Sequence, residues 1–175
     1  MPGRSRHNER VSRDSDEVDR IVEAWVRQRP DLDFSPLEVL SRVARLARHL
    51  DIARKEAFRR SDIESWEWDV LSALRRAGEP YQLSPKQLLQ QTLVSSGTMT
   101  NRIDRLVARR FVRREADPGD GRSILVTLTD DGRVRVDAAI TRLVDAEALL
   151  LGGLSRGDRD RLATLLRKLS LGFDA

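Results

Sequence analysis

The twenty residues Ser95 to Arg114, SSGTMTNRIDRLVARRFVRR, hold six arginines against one aspartate, Asp104, a local charge of +5 in a chain whose total is +4. Positive charge is therefore concentrated on one short segment. The segment also has helical order: Met99, Ile103 and Leu106 recur at i, i+4 and i+7, the stripe of a buried helix face. Thr98, Arg102, Arg105 and Arg109 fall on a different face, with Asn101 beside them. Arginine, asparagine and threonine are the side chains that meet phosphates and major-groove base edges. A solvated charged face is the plainer account of the charge alone, but the residues C-terminal to the helix decide against it.

Phe111-Val112-Arg113-Arg114-Glu115 leads into Asp117-Pro118-Gly119-Asp120-Gly121 and then Ser123-Ile124-Leu125-Val126-Thr127-Leu128-Thr129. Two apolar, β-branched runs around a Pro/Gly/Asp cluster predict a hairpin, with Arg122 at the foot of its loop. Upstream, Ser84-Pro85-Lys86-Gln87 opens a short helix, with serine as N-cap, proline at the first helical position and glutamine as the third-residue partner. Leu88 and Leu89 point inward from it. Ser95 or Ser96 caps the basic helix. Short helix, basic helix and hairpin in that order predict a winged helix-turn-helix over residues 65–129.

At 175 residues the chain supports one domain with a sizeable core. The absence of cysteine excludes disulfides, thiolate metal sites and cysteine redox sensing. No apolar run reaches the ~20 residues of a membrane span, and MPGRSRHNER is no secretory signal, so a cytoplasmic protein is expected. Residues 1–15 read as a disordered basic arm, a solubilising tail or a segment that grazes DNA.

The remaining segments predict helices. The first spans about Asp16 to Arg29, with Val18, Ile21, Val22 and Trp25 on one stripe. A long helix opens at a capping box Ser35-Pro36-Leu37-Glu38 and runs to about Arg60, with Val39, Val43, Leu46, Leu50 and Ala57 apolar. A third covers Ser65 to about Ala77 and stops at Gly78; Trp66 and Trp68 on it read as packing residues. After the wing, a helix from about Asp130 to Leu151 precedes Gly152-Gly153. A last helix opens at Ser155 with Leu162, Leu165, Leu166 and Leu169 inward. These terminal helices, residues 16–60 and 130–172, are more apolar than a lone winged helix needs, so burial against a second copy is expected.

The run from Leu83 through Asn101-Arg102-Ile103-Asp104-Arg105-Leu106, then Asp117-Pro118-x-Asp120-x-Arg122 and Leu128-Thr129-x-x-Gly132, resembles the MarR family of bacterial transcriptional regulators over about residues 35–172. Gly121 departs from that pattern, where many members carry a second arginine. The extra N-terminal helix bearing Trp25 is similar to the urate-responsive HucR, PecS and MftR branch, with the aconitate- and citrate-responsive TamR-like regulators nearby. The resemblance implies ligand-linked positions at Trp25, Asp69, Arg76 and Arg114: an anion held by Arg76 near Trp25, displacing Asp69, with Arg114 relaying the shift. Asp69 and Arg76, seven apart on one predicted helix, share a face.

The catalytic inventory is thin. His7 lies in the arm and His49 stands alone on the long helix, there is no phosphate-cradling glycine loop, and carboxylates are scattered among arginines; no enzyme, no cofactor and no metal are expected. The predicted fold is mainly α with a small β-wing, a winged helix-turn-helix flanked by long dimerisation helices. The predicted function is a homodimeric regulator, a repressor released from a palindromic operator in double-stranded DNA by a small anionic effector of urate or aconitate/citrate type, with no membrane association. Its DNA-binding residues are expected to be Ser96, Thr98, Thr100, Asn101, Arg102, Arg105, Arg109 and Arg122. The competing reading is a nucleoid-type architectural binder without a ligand.

Overall fold

The computed structural model describes residues 15–92 and 94–173, without the side chains of residues 120–122. The expected arm (apart from Ser15), His7 and the side chain of Arg122 thus lie outside the described residues. The chain forms two compact units, with the boundary between Asp51 and Ile52.

In the N-terminal unit, α1 (Glu17–Gln28) is closed by a reciprocal capping box. Asp16 accepts from the Val18 and Asp19 amides at 2.7 and 3.1 Å, and its own amide donates to Asp19 at 2.7 Å. Val18 and Val22 of the predicted stripe are buried, whereas Ile21 and Trp25 are exposed. Helix α2 (Ser35–Arg59) begins where expected, but through a different cap. Ser35 is already helical, and Asp33 accepts both its amide and its hydroxyl at 2.9 Å, which replaces the predicted Ser35/Glu38 box. Arg42 ties α2 to α1 through Asp16 and Asp19 at 2.9 and 2.6 Å.

The second unit holds the end of α2, then α3 (Ser65–Arg76), β1 (Gln82–Leu83), α4 (Pro85–Gln90), α5 (Ser96–Ala108), β2 (Val112–Asp117), β3 (Asp120–Leu128), α6 (Asp130–Leu150) and α7 (Arg156–Ser170). This is the winged helix-turn-helix with flanking helices, and the ends of its helices lie within a residue or two of those read from the sequence. The sheet is antiparallel in the order β1-β3-β2. β1 has no sequence expectation behind it: two residues are too few to show a period, and Gln82 and Leu83 are strand only because they pair with Thr127 and Val126.

Local chemistry explains the turns. Ser84 and Gln87 make the predicted capping box at 3.2 and 2.8 Å, and Ser95, rather than Ser96, caps α5. Asp117 accepts from the Gly119 amide at 2.8 Å, an Asx turn that reverses the hairpin. The core gathers Val70, Leu71 and Leu74 of α3, Leu88 of α4, Met99, Ile103 and Leu106 of α5, Val126 of β3 and Val136 of α6. Met99, Ile103 and Leu106 are each 0–1% exposed, the stripe read from the sequence. The expectation for α7 needs correction within the single chain. It has no buried residue, and Leu165 is 59% exposed, because no other element of this unit covers its apolar stripe.

The junction between α5, β2 and α6 rests on Thr129 and Gly132. The Thr129 hydroxyl donates to the carbonyls of Arg110 and Phe111 at 2.8 and 3.0 Å and accepts from the Gly132 amide at 3.1 Å. A Cβ on Gly132 would stand 2.1 Å from the Phe111 carbonyl oxygen and 2.9 Å from Leu128 Cδ1. The obstacle is backbone, so it cannot rotate away. Gly132→Ala is expected to cost about 2 kcal/mol or more, read as a thermal midpoint lower by about 4–8 °C.

Candidate nucleic-acid interface

Helix α5 turns one face to the core and presents Ser96, Thr98, Thr100, Asn101 and Arg105 to solvent. Thr98 is oriented by Ser95, with the two hydroxyls 2.9 Å apart, and Thr100 donates back to the Ser96 carbonyl at 3.2 Å. A cleft of about 510 Å³ on this face is lined by Trp66, Gly97, Thr98, Asn101, Arg102 and Arg105.

Most arginines of the basic segment have acidic partners. Arg102 Nη1 donates to Asp69 at 3.2 Å, and Arg105 lies 3.6 Å from Glu64. Arg113 and Arg114 pair with Glu115 and Asp104 at 2.9 and 2.6 Å. Arg109 is the most committed. It donates to the wholly buried Glu67 at 2.6 Å and to the carboxylate and carbonyl of Asp62 at 3.0 and 2.8 Å, and its guanidinium sits 4.5 Å from the Phe111 ring centroid. Of the residues expected at DNA, Arg109 is thus turned into the fold at the C-terminal end of α5, whereas Thr98, Asn101, Arg102 and Arg105 border one cleft. The concentrated charge seen in the sequence is largely matched, side chain by side chain, by carboxylates from α3 and the loop before it, from α5 and from β2.

The four positions that the resemblance links to an effector are distributed. Asp69 and Arg76 both lie on α3, but Asp69 bonds Arg102, while Arg76 Nη1 donates to Ser72 Oγ at 3.1 Å. Arg114 on β2 holds Asp104 of α5. Trp25 belongs to the N-terminal unit, stacked on Phe34 with ring centroids 6.2 Å apart. Two of the four positions are therefore ion-paired directly to α5. The sequence reading missed Glu64, Trp66 and Glu67 as neighbours of the basic helix. Their only signal was the three-residue spacing Glu64-x-x-Glu67, which does mark a helix start: the Glu64 amide donates to Glu67 at 2.8 Å.

The wing is braced by one carboxylate that spans all three strands. Glu115 Oε2 accepts from Thr127 and Gln82 at 2.8 and 2.9 Å, and Oε1 accepts from Arg113 at 2.9 Å. The Arg113 guanidinium and the Thr127 hydroxyl, with a smaller part from Gln82, hold the Glu115 carboxyl below its ordinary 4.5.

Fold and face together define a winged helix-turn-helix DNA-binding protein. A family model described as the MarR family matches residues 61–123. The chain is 33% identical over 153 residues to the HTH-type transcriptional regulator PecS of Dickeya dadantii, covering 87% of this chain and 92% of PecS. Among solved structures, a MarR mutant from Escherichia coli complexed with operator DNA superposes with a TM-score of 0.63 at 26% identity, over 89% of this chain and 99% of that one. Bordetella bronchiseptica BpsR, whose DNA binding is regulated by 6-hydroxynicotinic acid, superposes at 0.61 and 32% identity, over 75% and 92%. The chain belongs to the MarR family, and it is a DNA-binding transcriptional regulator rather than an enzyme.

Depression of the Glu115 pKa fixes the sign of its acid response. Its contribution is complete above the unfolded value near 4.5 and is lost as pH falls through the lower folded value. Wild type is expected to melt above Glu115→Gln near pH 7, with the gap narrowing as the pH falls below 4.5; thermal melts across that range check this.

Proposed function

We propose that this regulator is a homodimeric repressor that holds a palindromic operator and releases it when a small planar anion binds. The observation that carries the reading is the pair of ionic links from effector positions to the recognition helix, Asp69 to Arg102 and Arg114 to Asp104. An anion held by Arg76 adds negative charge on the helix that carries Asp69. Repulsion then weakens the grip of Asp69 on Arg102, and the reading face loses its order. Trp25 enters this reading through the resemblance alone. The exposed leucines of α7 support dimerisation, since an uncovered apolar stripe on a long helix is an association surface, and a two-fold pair of recognition helices suits successive major grooves.

Chemistry narrows the effector to a class. A guanidinium pairs bidentately with a carboxylate or an ionised purine, which admits urate as well as aconitate- and citrate-type acids. The regulation of BpsR by 6-hydroxynicotinic acid adds a precedent for a planar acid in this family.

Two measurements test the parts separately. Arg102→Ala is expected to weaken binding to the operator by about 1–3 kcal/mol more than binding to mixed-sequence duplex, the signature of a bidentate base contact. Equal losses on both duplexes would favour an architectural binder. Arg76→Ala is expected to keep DNA affinity near wild type while abolishing release by urate, aconitate or citrate, whichever acts on wild type, in an electrophoretic shift titration. A variant that still lets go of DNA at the wild-type effector concentration places the effector elsewhere.

A further inference from the structure

We propose that Trp66 is a positioning residue of the DNA interface, a platform on which the guanidinium groups of Arg105 and Arg102 are held for the duplex. Trp66 lies on α3, yet the guanidinium carbon of Arg105 is 4.3 Å from its ring centroid and that of Arg102 is 5.9 Å away. The indole is itself fixed. It packs against the core cluster, and Nε1 donates to Glu64 at 2.7 Å. Trp66 and Arg102 also form the wall shared by two clefts of about 510 and 570 Å³, the first opening on Thr98 and Asn101, the second on Asp69.

Different partners use different parts of a guanidinium. An aromatic ring takes the planar face, whereas carboxylates, phosphates and base edges take the in-plane N–H donors. Asp69 accepts from one N–H of Arg102, and Glu64 lies 3.6 Å from Nη2 of Arg105, so edge donors remain. DNA can take the remaining edge donors without disturbing the stack beneath, so Trp66 serves both states. Holding a long side chain in its bound orientation lowers the entropy lost on association. Carboxylates act at the N–H edge instead: Asp69 takes one Arg102 N–H, through Nη1, and leaves the other donors of that guanidinium for DNA.

The inference rests on the reading that Arg102 and Arg105 face DNA, and the test separates the two. Wild-type protein is first used to select duplexes from a randomised pool, and affinities for the consensus are then measured. Trp66→Leu is expected to weaken binding about two- to fivefold, and Trp66→Phe less. In an Arg105→Ala background most of the Trp66→Leu effect should disappear, because the group it positions is gone. Arg105→Lys, which keeps the charge, lies at an exposed site and lacks a planar face, is expected to bind like Trp66→Leu and to gain little further loss from it. Full additivity of Trp66→Leu and Arg105→Ala, or wild-type binding by Arg105→Lys, overturns the platform. A pool that yields no consensus sinks the operator reading instead. The same coupling is then expected on mixed-sequence duplex, and its absence there overturns the platform too.

Discussion

Glu67 is wholly buried, and one of its oxygens takes both Arg109 and the Glu64 amide while the other has no hydrogen-bond partner among the described residues. A buried carboxylate in that state depends on its counter-ion, since removing one partner of a buried pair costs about 3–5 kcal/mol, against about 0–1 for an exposed pair. Arg109 is the residue immediately after α5, so this contact ties the C-terminal end of the recognition helix to the first turn of α3. Met99, Ile103 and Leu106 set the buried face of that helix. Apolar contact alone leaves a helix free to slide, and a directional ion pair at one end restrains it.

From that end the chain turns through Arg110, at φ 61°, into Phe111 and the wing. Phe111 closes the core, its carbonyl receives Thr129, and Gly132 lets α6 approach it closely. The wing and α6 are thus referenced to the same point as the recognition helix. This gives a physical reason for the Leu128-Thr129-x-x-Gly132 pattern: the threonine caps a helix and spans a junction, and the glycine leaves room for a backbone oxygen.

The arginines of the basic face have carboxylate neighbours, Asp69 beside Arg102 and Glu64 beside Arg105, although Arg105 stays exposed. Carboxylates beside these arginines repel phosphate, so part of the electrostatic gain on DNA binding is offset. Arg102, only 18% exposed at its side chain, joins Asp69 of α3 to the cleft lined by Thr98 and Asn101.

The sequence by itself determined the elements. Serine caps, the Asp-Pro-Gly turn and the 3.6-residue apolar stripes are local signals, and local chemistry suffices to place α4, α5, the hairpin and the helix ends to within a residue or two. It also marked Thr98, Asn101, Arg102 and Arg105 as one face, because helical spacing alone brings them together. What it could not show was the partner of each arginine. Glu64, Trp66, Glu67 and Asp69 lie more than thirty residues before the groups they hold, and pairing across helices leaves no periodic trace. For the same reason it could not show that Arg109 reaches Glu67 and Asp62, or that Trp66, besides packing on the core, lies beside the Arg105 guanidinium, and β1 went unseen because only β3 makes it a strand. Tertiary structure decided these, since burial and charge pairing depend on which helix faces turn towards one another.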